Sequence, residues 1–225
     1  MCMSAAADFA AAGALAPIGV ASLRTIGRRD QLIIGSLPML FALHQFVEGF
    51  VWLGLQGQIS AGLQDAAIRI YLLFAQVLLP VLVPLGLLVH EPDRARRRWM
   101  IPLLVLGIAV GLRLLWILSA NPVGAQPRGH VITYTTDVHF GYVEAVAYVA
   151  ATCTPVVLST RRHLRWFGVA NLAGLAAAAI VRYGAVTSVW CLYAALVSSL
   201  ILVHLRDPLG CQTTTRTRRP ARPLG

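Results

Sequence analysis

The chain has 225 residues, of which 57% are hydrophobic and only 12% are charged, and its mean hydropathy is +0.70. A soluble domain carries about 25% charged residues, so this composition excludes an ordinary soluble fold and predicts a chain surrounded largely by lipid. The net charge is +10. Because the arginines form short clusters between apolar runs, this charge indicates membrane topology and no nucleic-acid partner.

Seven apolar segments follow one another along the chain, at roughly 6–23, 31–55, 66–89, 99–119, 137–159, 164–182 and 185–205. Each is long enough for a helix to cross a hydrocarbon layer of about 30 Å. Helices are predicted because lipid offers no partner to free backbone groups. The fold class is therefore an all-α polytopic membrane protein, with a seven-helix transmembrane domain over residues 1–206. Residues 207–225 are predicted to form a disordered basic tail.

Positive charge alternates between the connections. Arginines occupy the connections that follow segments 1, 3 and 5 and the tail, whereas the connections 56–65 and 120–136 hold almost none. Because basic connections stay on the cytoplasmic side, the N-terminus is expected outside and the C-terminus in the cytoplasm. The same arginines are expected to contact anionic lipid headgroups, at about 1 kcal/mol each near the surface.

Two packing features lie in the third and fourth segments. Pro80 and Pro84 remove helical N–H donors, so a kink is expected there. Gly107 and Gly111 form a GxxxG pattern, which allows another helix to approach closely.

A polar motif interrupts the second segment, in the stretch FALHQFVEGFVWL at residues 41–53. His44 and Glu48 are four residues apart and share one helix face with Trp52, while Gln45 follows His44. A charge in the middle of a membrane costs about 2.5–3.5 kcal/mol on insertion scales, and ionisable groups there are functional candidates. His44, Gln45, Glu48 and Trp52 are therefore predicted to bind a ligand.

Helical rise places two further ionisable residues, Arg113 and Glu144, near the same depth as the motif. His44, Arg113 and Glu144 lie roughly 20 Å from the cytoplasmic end of their segments, and Glu48 lies at roughly 25 Å. His139 lies close to the outer boundary. We therefore expect Arg113, His139 and Glu144 to complete one pocket in the outer half of the membrane, where Arg113 offsets one carboxylate.

Three functions fit such a pocket. The first is binding, sensing or transport of a small polar ligand or cation. The second is a metal-dependent intramembrane hydrolase with Glu48 or Glu144 as general base, since zinc, iron or manganese is held by such groups; the candidate metal ligands are His44, Glu48, His139 and Glu144. A haem between His44 and His139 is a further cofactor alternative. The third function is structural, with the polar groups only fixing how the helices pack.

Two stretches resemble a known family. MCMSAAADFAAAGALAPIGV and LPMLFALHQFVEGFVWLGL are similar to an uncharacterised family of bacterial multi-span membrane proteins. Its members begin with a Met-Cys-Phe-Ser-Ala-Thr-Ala-Ser-Phe-like segment and carry a Gln-rich or His-Gln, Glu-Gly, Trp motif in the second span. The resemblance implies a bacterial inner-membrane protein, supplies no activity, and points to His44, Gln45, Glu48, Gly49 and Trp52 as the motif to test.

Overall fold

The computed structural model describes residues 4–128, 131–136, 141–181, 193, 195 and 197–207, which are mostly helical. In chain order, the first elements are α1 (Ala5–Thr25), a short 3₁₀ turn (Arg29–Gln31), α2 (Leu32–Leu55), α3 (Ala61–Leu72), a π-helical segment (Leu73–Leu78), α4 (Leu79–His90) and α5 (Arg94–Ala120). They are followed by β1 (Val123–Arg128), β2 (Val131–Thr136), α6 (Tyr142–Leu158), α7 (Arg162–Val181) and α8 (Ser199–Arg206). The predicted tail beyond residue 207 lies outside the described residues.

Within these ranges, four helices are long and apolar enough to cross a membrane: Ala5–Thr25, Arg29–Leu55, Ala61–His90 and Arg94–Ala120. They correspond to the first four predicted segments, so the chain is a membrane protein of several spans. The helix α6 has 17 residues, which is short of the roughly 20 that a span needs. Much of the seventh predicted segment falls outside the described part of the chain, so seven spans remain a prediction.

The connection between α5 and α6 departs from the all-α prediction. Strands β1 and β2 pair in antiparallel register from Val123 opposite Thr136 to Arg128 opposite Val131. The second strand, VITYTT, consists of β-branched residues and a tyrosine, which favour a pleated strand over a helix. We expected an irregular connection here, and the chain instead forms a hairpin against the ends of α2 and α3.

The helices α1 and α2 pack against each other in antiparallel register. A Cβ atom at Gly19 would lie 2.7 Å from the Cα atom of Met39, and one at Gly49 would lie 2.5 Å from the Phe9 ring. Both glycines therefore let the neighbouring helix approach closely. This register, in which residue numbers rise along one helix as they fall along the other, brings the first turn of α1 beside the last two turns of α2.

The π-helical segment lies immediately before Pro80. The N–H of Leu79 donates to the carbonyl of Phe74, five residues earlier. The next bond of that register would run from residue 80 to the carbonyl of Ala75, but proline has no N–H. The disturbance predicted for the two prolines is thus a local widening of the helix, which is one of the known forms of helix distortion.

The close approach predicted for Gly107 and Gly111 is confirmed. Pro84 cannot donate to the carbonyl of Pro80, and this carbonyl faces α5, where a Cβ at Gly107 would lie only 1.8 Å from the oxygen. At Gly111 a Cβ would lie 2.9 Å from the carbonyl oxygen of Val77. Glycine hydrogens can make weak Cα–H···O contacts with such oxygens, so α4 and α5 meet almost backbone to backbone.

The bundle has two distinct ends. At the hairpin end, β1 packs on α2 and α3. The arginine-rich connections lie at the opposite end, which we call the arginine end. Hydrogen bonds between polar side chains join these connections. The Nδ1 atom of His90 lies 3.0 Å from Oδ2 of Asp30, and its Nε2 atom lies 3.0 Å from Nε2 of His204. The carboxylate of Glu91 accepts hydrogen bonds from Ser159 and from the backbone and hydroxyl of Thr160.

Candidate functional site

The polar motif of α2 is fully inside the protein. His44 is 3% exposed, and Gln45 and Glu48 are 0% exposed. Successive helical residues are about 100° apart, so His44, Glu48, Trp52 and Gln45 lie within an arc of about 100°. One face of α2 therefore turns all four side chains away from lipid, as predicted, while Leu43 and Phe46 are exposed on other faces.

A second acidic residue faces the same region from α1. Asp8 is 1% exposed, and the neighbouring Phe9 packs against Gly49. The antiparallel register of α1 and α2 consequently brings Asp8 to the level of Glu48 and Trp52. Two carboxyl side chains are thus buried in the hairpin-end half of the bundle.

Three aromatic rings form a stack beside these groups. The His44 ring lies on the Tyr71 ring with a centroid distance of 4.0 Å and an interplanar angle of 16°. The Tyr71 ring also stacks on the ring of Tyr134 in β2, with a centroid distance of 4.7 Å and an interplanar angle of 17°. Phe74, in the π-helical segment, lies 4.7 Å from the His44 ring. The stack links α2, α3 and the hairpin.

The hairpin also reaches the motif through a polar contact. The Tyr134 hydroxyl donates a long hydrogen bond of 3.4 Å to Oε1 of Glu48. Ile132, on the same strand, is 1% exposed and belongs to the apolar cluster that contains Trp52 and Tyr71. The hairpin therefore covers the end of this site with side chains that touch its members. We call the site the hairpin-end cluster; its members are Asp8, His44, Gln45, Glu48, Trp52, Tyr71 and Tyr134.

Several polar atoms of the cluster have no partner among the residues that the structure describes. They are both ring nitrogens of His44, the amide oxygen and nitrogen of Gln45, and the indole nitrogen of Trp52. An unsatisfied buried donor or acceptor costs about 1–3 kcal/mol, and native proteins leave few of them. Five such atoms on one helix face are more than packing alone accounts for, so they require a chemical explanation.

The polar groups at the arginine end behave differently. There Glu91 accepts hydrogen bonds of 3.1, 2.9 and 2.6 Å, and His90 has a partner for each ring nitrogen. These groups satisfy one another and join the ends of α2, α4, α6 and α8. Their arrangement is explained by structure alone, whereas that of the hairpin-end cluster is not.

The structure places the other predicted site residues elsewhere. Arg113 is exposed, and its guanidinium lies 5.2 Å from the centre of the Trp116 ring on the same helix. Glu144 is half-buried in the first turn of α6, where its carboxylate folds over Gly141. Among the described residues, neither side chain forms a hydrogen bond or ion pair with Glu48. His139 lies outside the described ranges.

The predicted metal site is not assembled by the described side chains. No group of three His, Cys, Asp or Glu residues within the described ranges is arranged to hold a metal ion. Of the candidate ligands, His44 and Glu48 are neighbours on α2, but Glu144 is at the start of α6. The donors that do come together are an imidazole, an amide, carboxylates and phenols, which suit a polar organic ligand or a cation as well as a metal.

Sequence reasoning missed three members of the cluster. Asp8 follows a run of alanines near the N-terminus, where an acidic residue also suits the first turn of a helix. Tyr71 lies in an apolar helix and carried no polar signal, and Tyr134 lies in the connection 120–136, for which no strand was predicted. The alternation of β-branched residues around Tyr134 was the one available signal for the strand.

Comparison with known proteins identifies a family that matches the chain. The sequence pattern of a protein family described as a family of unknown function (DUF6629) matches residues 1–216, which is nearly the whole chain. No curated protein and no solved structure matches the chain. The match confirms the resemblance to an uncharacterised family, and it brings no activity with it.

Proposed function

We propose that this chain, which belongs to the DUF6629 family of unknown function, binds a small polar ligand with a positive charge in the hairpin-end cluster. The protein serves as a sensor or transporter of that ligand in a bacterial inner membrane. In this proposal the chain crosses the membrane seven times, with the hairpin end outside and the arginine end in the cytoplasm. The gathering of the arginine-rich connections at one end of the bundle supports this orientation.

The observation that carries the proposal is the set of unpaired polar atoms on α2. Neutral imidazole offers one donor and one acceptor, a glutamine amide offers both, and an indole offers a donor. His44, Gln45 and Trp52 provide all of these without a partner in the described chain. A bound molecule with its own donors and acceptors would satisfy them at once, and this is how polar groups in largely apolar sites give a ligand its orientation.

The groups around these unpaired atoms favour a ligand with a positive charge. Asp8 and Glu48 are both buried in the cluster, and a carboxylate in surroundings of low dielectric attracts a cation and repels an anion. Aromatic faces attract cations, most strongly when both are removed from water. Trp52 supplies such a face one helical turn from Glu48 on α2, so an ammonium group or a metal cation fits better than an anion.

The hairpin gives the ligand a route. Tyr134 is half-buried and forms the hairpin-end layer of the ring stack. A movement of β2 that lifts this ring would uncover Tyr71 and free Glu48 from the Tyr134 hydroxyl. Access from outside therefore passes through the hairpin, as a lid on the site.

Thermal unfolding of the detergent-purified full chain tests the proposal, with choline, ethanolamine, sodium and potassium as separate probes. A ligand that binds only the folded state stabilises it by about 2.7 kcal/mol at a concentration a hundredfold above its Kd. We expect at least one probe to raise the melting temperature of the wild type. Glu48→Gln should abolish that rise, and Glu144→Gln should keep it, because Glu144 lies outside the cluster.

A second variant separates a ligand site from a packing element. His44→Phe keeps a ring for the stack and removes two unpaired nitrogens, and replacing unsatisfied polar groups by apolar ones of similar shape is close to neutral or stabilising. We expect His44→Phe to melt no lower than the wild type while losing the response to the probe. If no probe stabilises the wild type, or if Glu48→Gln and His44→Phe respond as it does, the proposed function is wrong.

A further inference from the structure

A groove runs along α1 at the arginine end of the bundle, far from the hairpin-end cluster. Its volume is about 680 Å³, within the range of about 300–1,000 Å³ that is typical of ligand sites. Small side chains of α1 form its wall, and Arg24 and Arg206 stand at its end, the second contributed by α8. The groove thus joins an apolar channel to two positive charges from different helices.

The apolar part of the groove is exposed on the surface of the bundle. Of the spans, α1 has the least buried apolar stretch, at 28%, compared with 56% for the stretch that ends with α2. Gly13 and Pro17 are exposed, and a Cβ atom at Gly13 would meet no other atom within 4 Å. The space beside this face of α1 is therefore open.

The two arginines at the end of the groove have no partner among the residues that the structure describes. Arg24 and Arg206 are exposed, and in the described part of the chain neither takes part in a hydrogen bond or an ion pair. Arg28, Arg69 and Arg96 differ, because each lies within 4 Å of an aspartate. Asp207, next to Arg206, is directed instead toward Nδ1 of His163 at 3.9 Å. Two guanidinium groups at one groove thus remain available to an external anion.

From this charge pattern we propose that the groove binds one anionic phospholipid. Its phosphate lies between Arg24 and Arg206, because guanidinium groups bind phosphate oxygens through paired, charge-assisted hydrogen bonds. One acyl chain lies along Gly13, Pro17 and Val20. A zwitterionic lipid is disfavoured, since no acidic residue lines the groove to receive its ammonium group. This site is independent of the proposed function of the hairpin-end cluster.

Lipid retention by the detergent-purified full chain, measured by native mass spectrometry, tests the proposal. Phosphatidylglycerol and phosphatidylcholine are the probes, and inorganic phosphate serves as a competitor. The double variant Arg24→Gln/Arg206→Gln is compared with Arg97→Gln/Arg98→Gln, which removes two exposed arginines of α5 instead. We expect the wild type and the α5 variant to retain one phosphatidylglycerol, with about thirtyfold weaker retention in the groove variant.

The variant Gly13→Leu tests the acyl-chain part of the groove and keeps both arginines. Leucine favours a helix more than glycine does, and open space surrounds Gly13, so this variant should fold even if the double arginine variant does not. We expect it to lose phosphatidylglycerol retention too. Equal retention of phosphatidylcholine, full retention by Gly13→Leu or by the groove variant, or displacement of the lipid by inorganic phosphate alone would overturn the proposal.

Discussion

The hydroxyl of Tyr148 on α6 donates a hydrogen bond to the main-chain carbonyl of Ala75 in the π-helical segment. In the π register this carbonyl would accept from the N–H of residue 80, and Pro80 has none. Tyr148 therefore replaces, from another helix, the donor that the proline removes. This pairing explains why a tyrosine is buried at this point of α6.

Replacing Tyr148 by phenylalanine should lower the free energy of unfolding by about 1–3 kcal/mol, because a buried carbonyl is left without a donor. The loss should be clearly smaller in a Pro80→Ala background, where residue 80 again carries an N–H. A double-mutant cycle of unfolding measured in mixed micelles gives this coupling. Equal losses in both backgrounds would show that the hydroxyl has another role.

The close contact between Gly107 and the Pro80 carbonyl leaves no room for a larger side chain at position 107. Gly107→Ala should destabilise the protein by about 1–3 kcal/mol or more, because the new methyl group would overlap the Pro80 oxygen and push α4 from α5. Gly13→Ala is the matched control; it should stabilise by about 0.5–1 kcal/mol, since alanine favours the helix and meets nothing there. Melting temperatures of the two variants in detergent measure the difference, and equal values would contradict the close approach.

We expect the contacts of the Tyr134 ring to hold the hairpin closed against the bundle. Tyr134→Ala removes the last layer of the ring stack and the hydrogen bond to Glu48, so β1 and β2 should open more often. Hydrogen–deuterium exchange of residues 123–136 should become faster. Thr135→Ala changes an exposed neighbour on the same strand and should leave the exchange rates nearly unchanged. Faster exchange in both variants would mean that strand pairing alone holds the hairpin.

The carboxylate of Glu91 joins two connections at the arginine end. Glu91→Gln removes the charge from four hydrogen bonds, including those from Ser159 and Thr160. The amide can no longer accept at both oxygens, so the free energy of unfolding should fall by about 1.5–3 kcal/mol. Asp65→Asn, at an exposed ion pair with Arg69, should change it by less than about 1 kcal/mol. Urea titration of the protein in detergent compares the two variants, and similar effects would argue against a joining role for Glu91.

The helices were predictable because their signal lies in local composition. Segment 31–55 matches α2, and segment 6–23 matches α1 within two residues at each end. The hairpin was not predicted, because a connection with few charges gives no hydropathy signal, and strand pairing depends on residues of two segments. The π-helical segment was also hidden, since Pro80 indicates a distortion without saying which form it takes.

Burial of the α2 motif was predictable because His44 and Glu48 cannot face lipid singly. The residues that contact the motif were not predictable, because a similar depth does not fix the direction in which a side chain points around its helix. Arg113 is exposed and lies over the Trp116 ring of its own helix. Asp8 and Tyr71 face the motif through the packing of α1 and α3, which depends on Gly49 and the ring stack.

The length of the π-helical segment sets the rotation of α4 relative to α3. It holds one residue more than an α-helix of the same rise, so α4 is turned by about 100° relative to the continuation of α3. That offset lets Tyr71 face the polar cluster while Pro80 meets Gly107 on another side. Losing a single residue between Leu73 and Leu78 would rotate one half against the other, so its length is as constrained as any side chain in it.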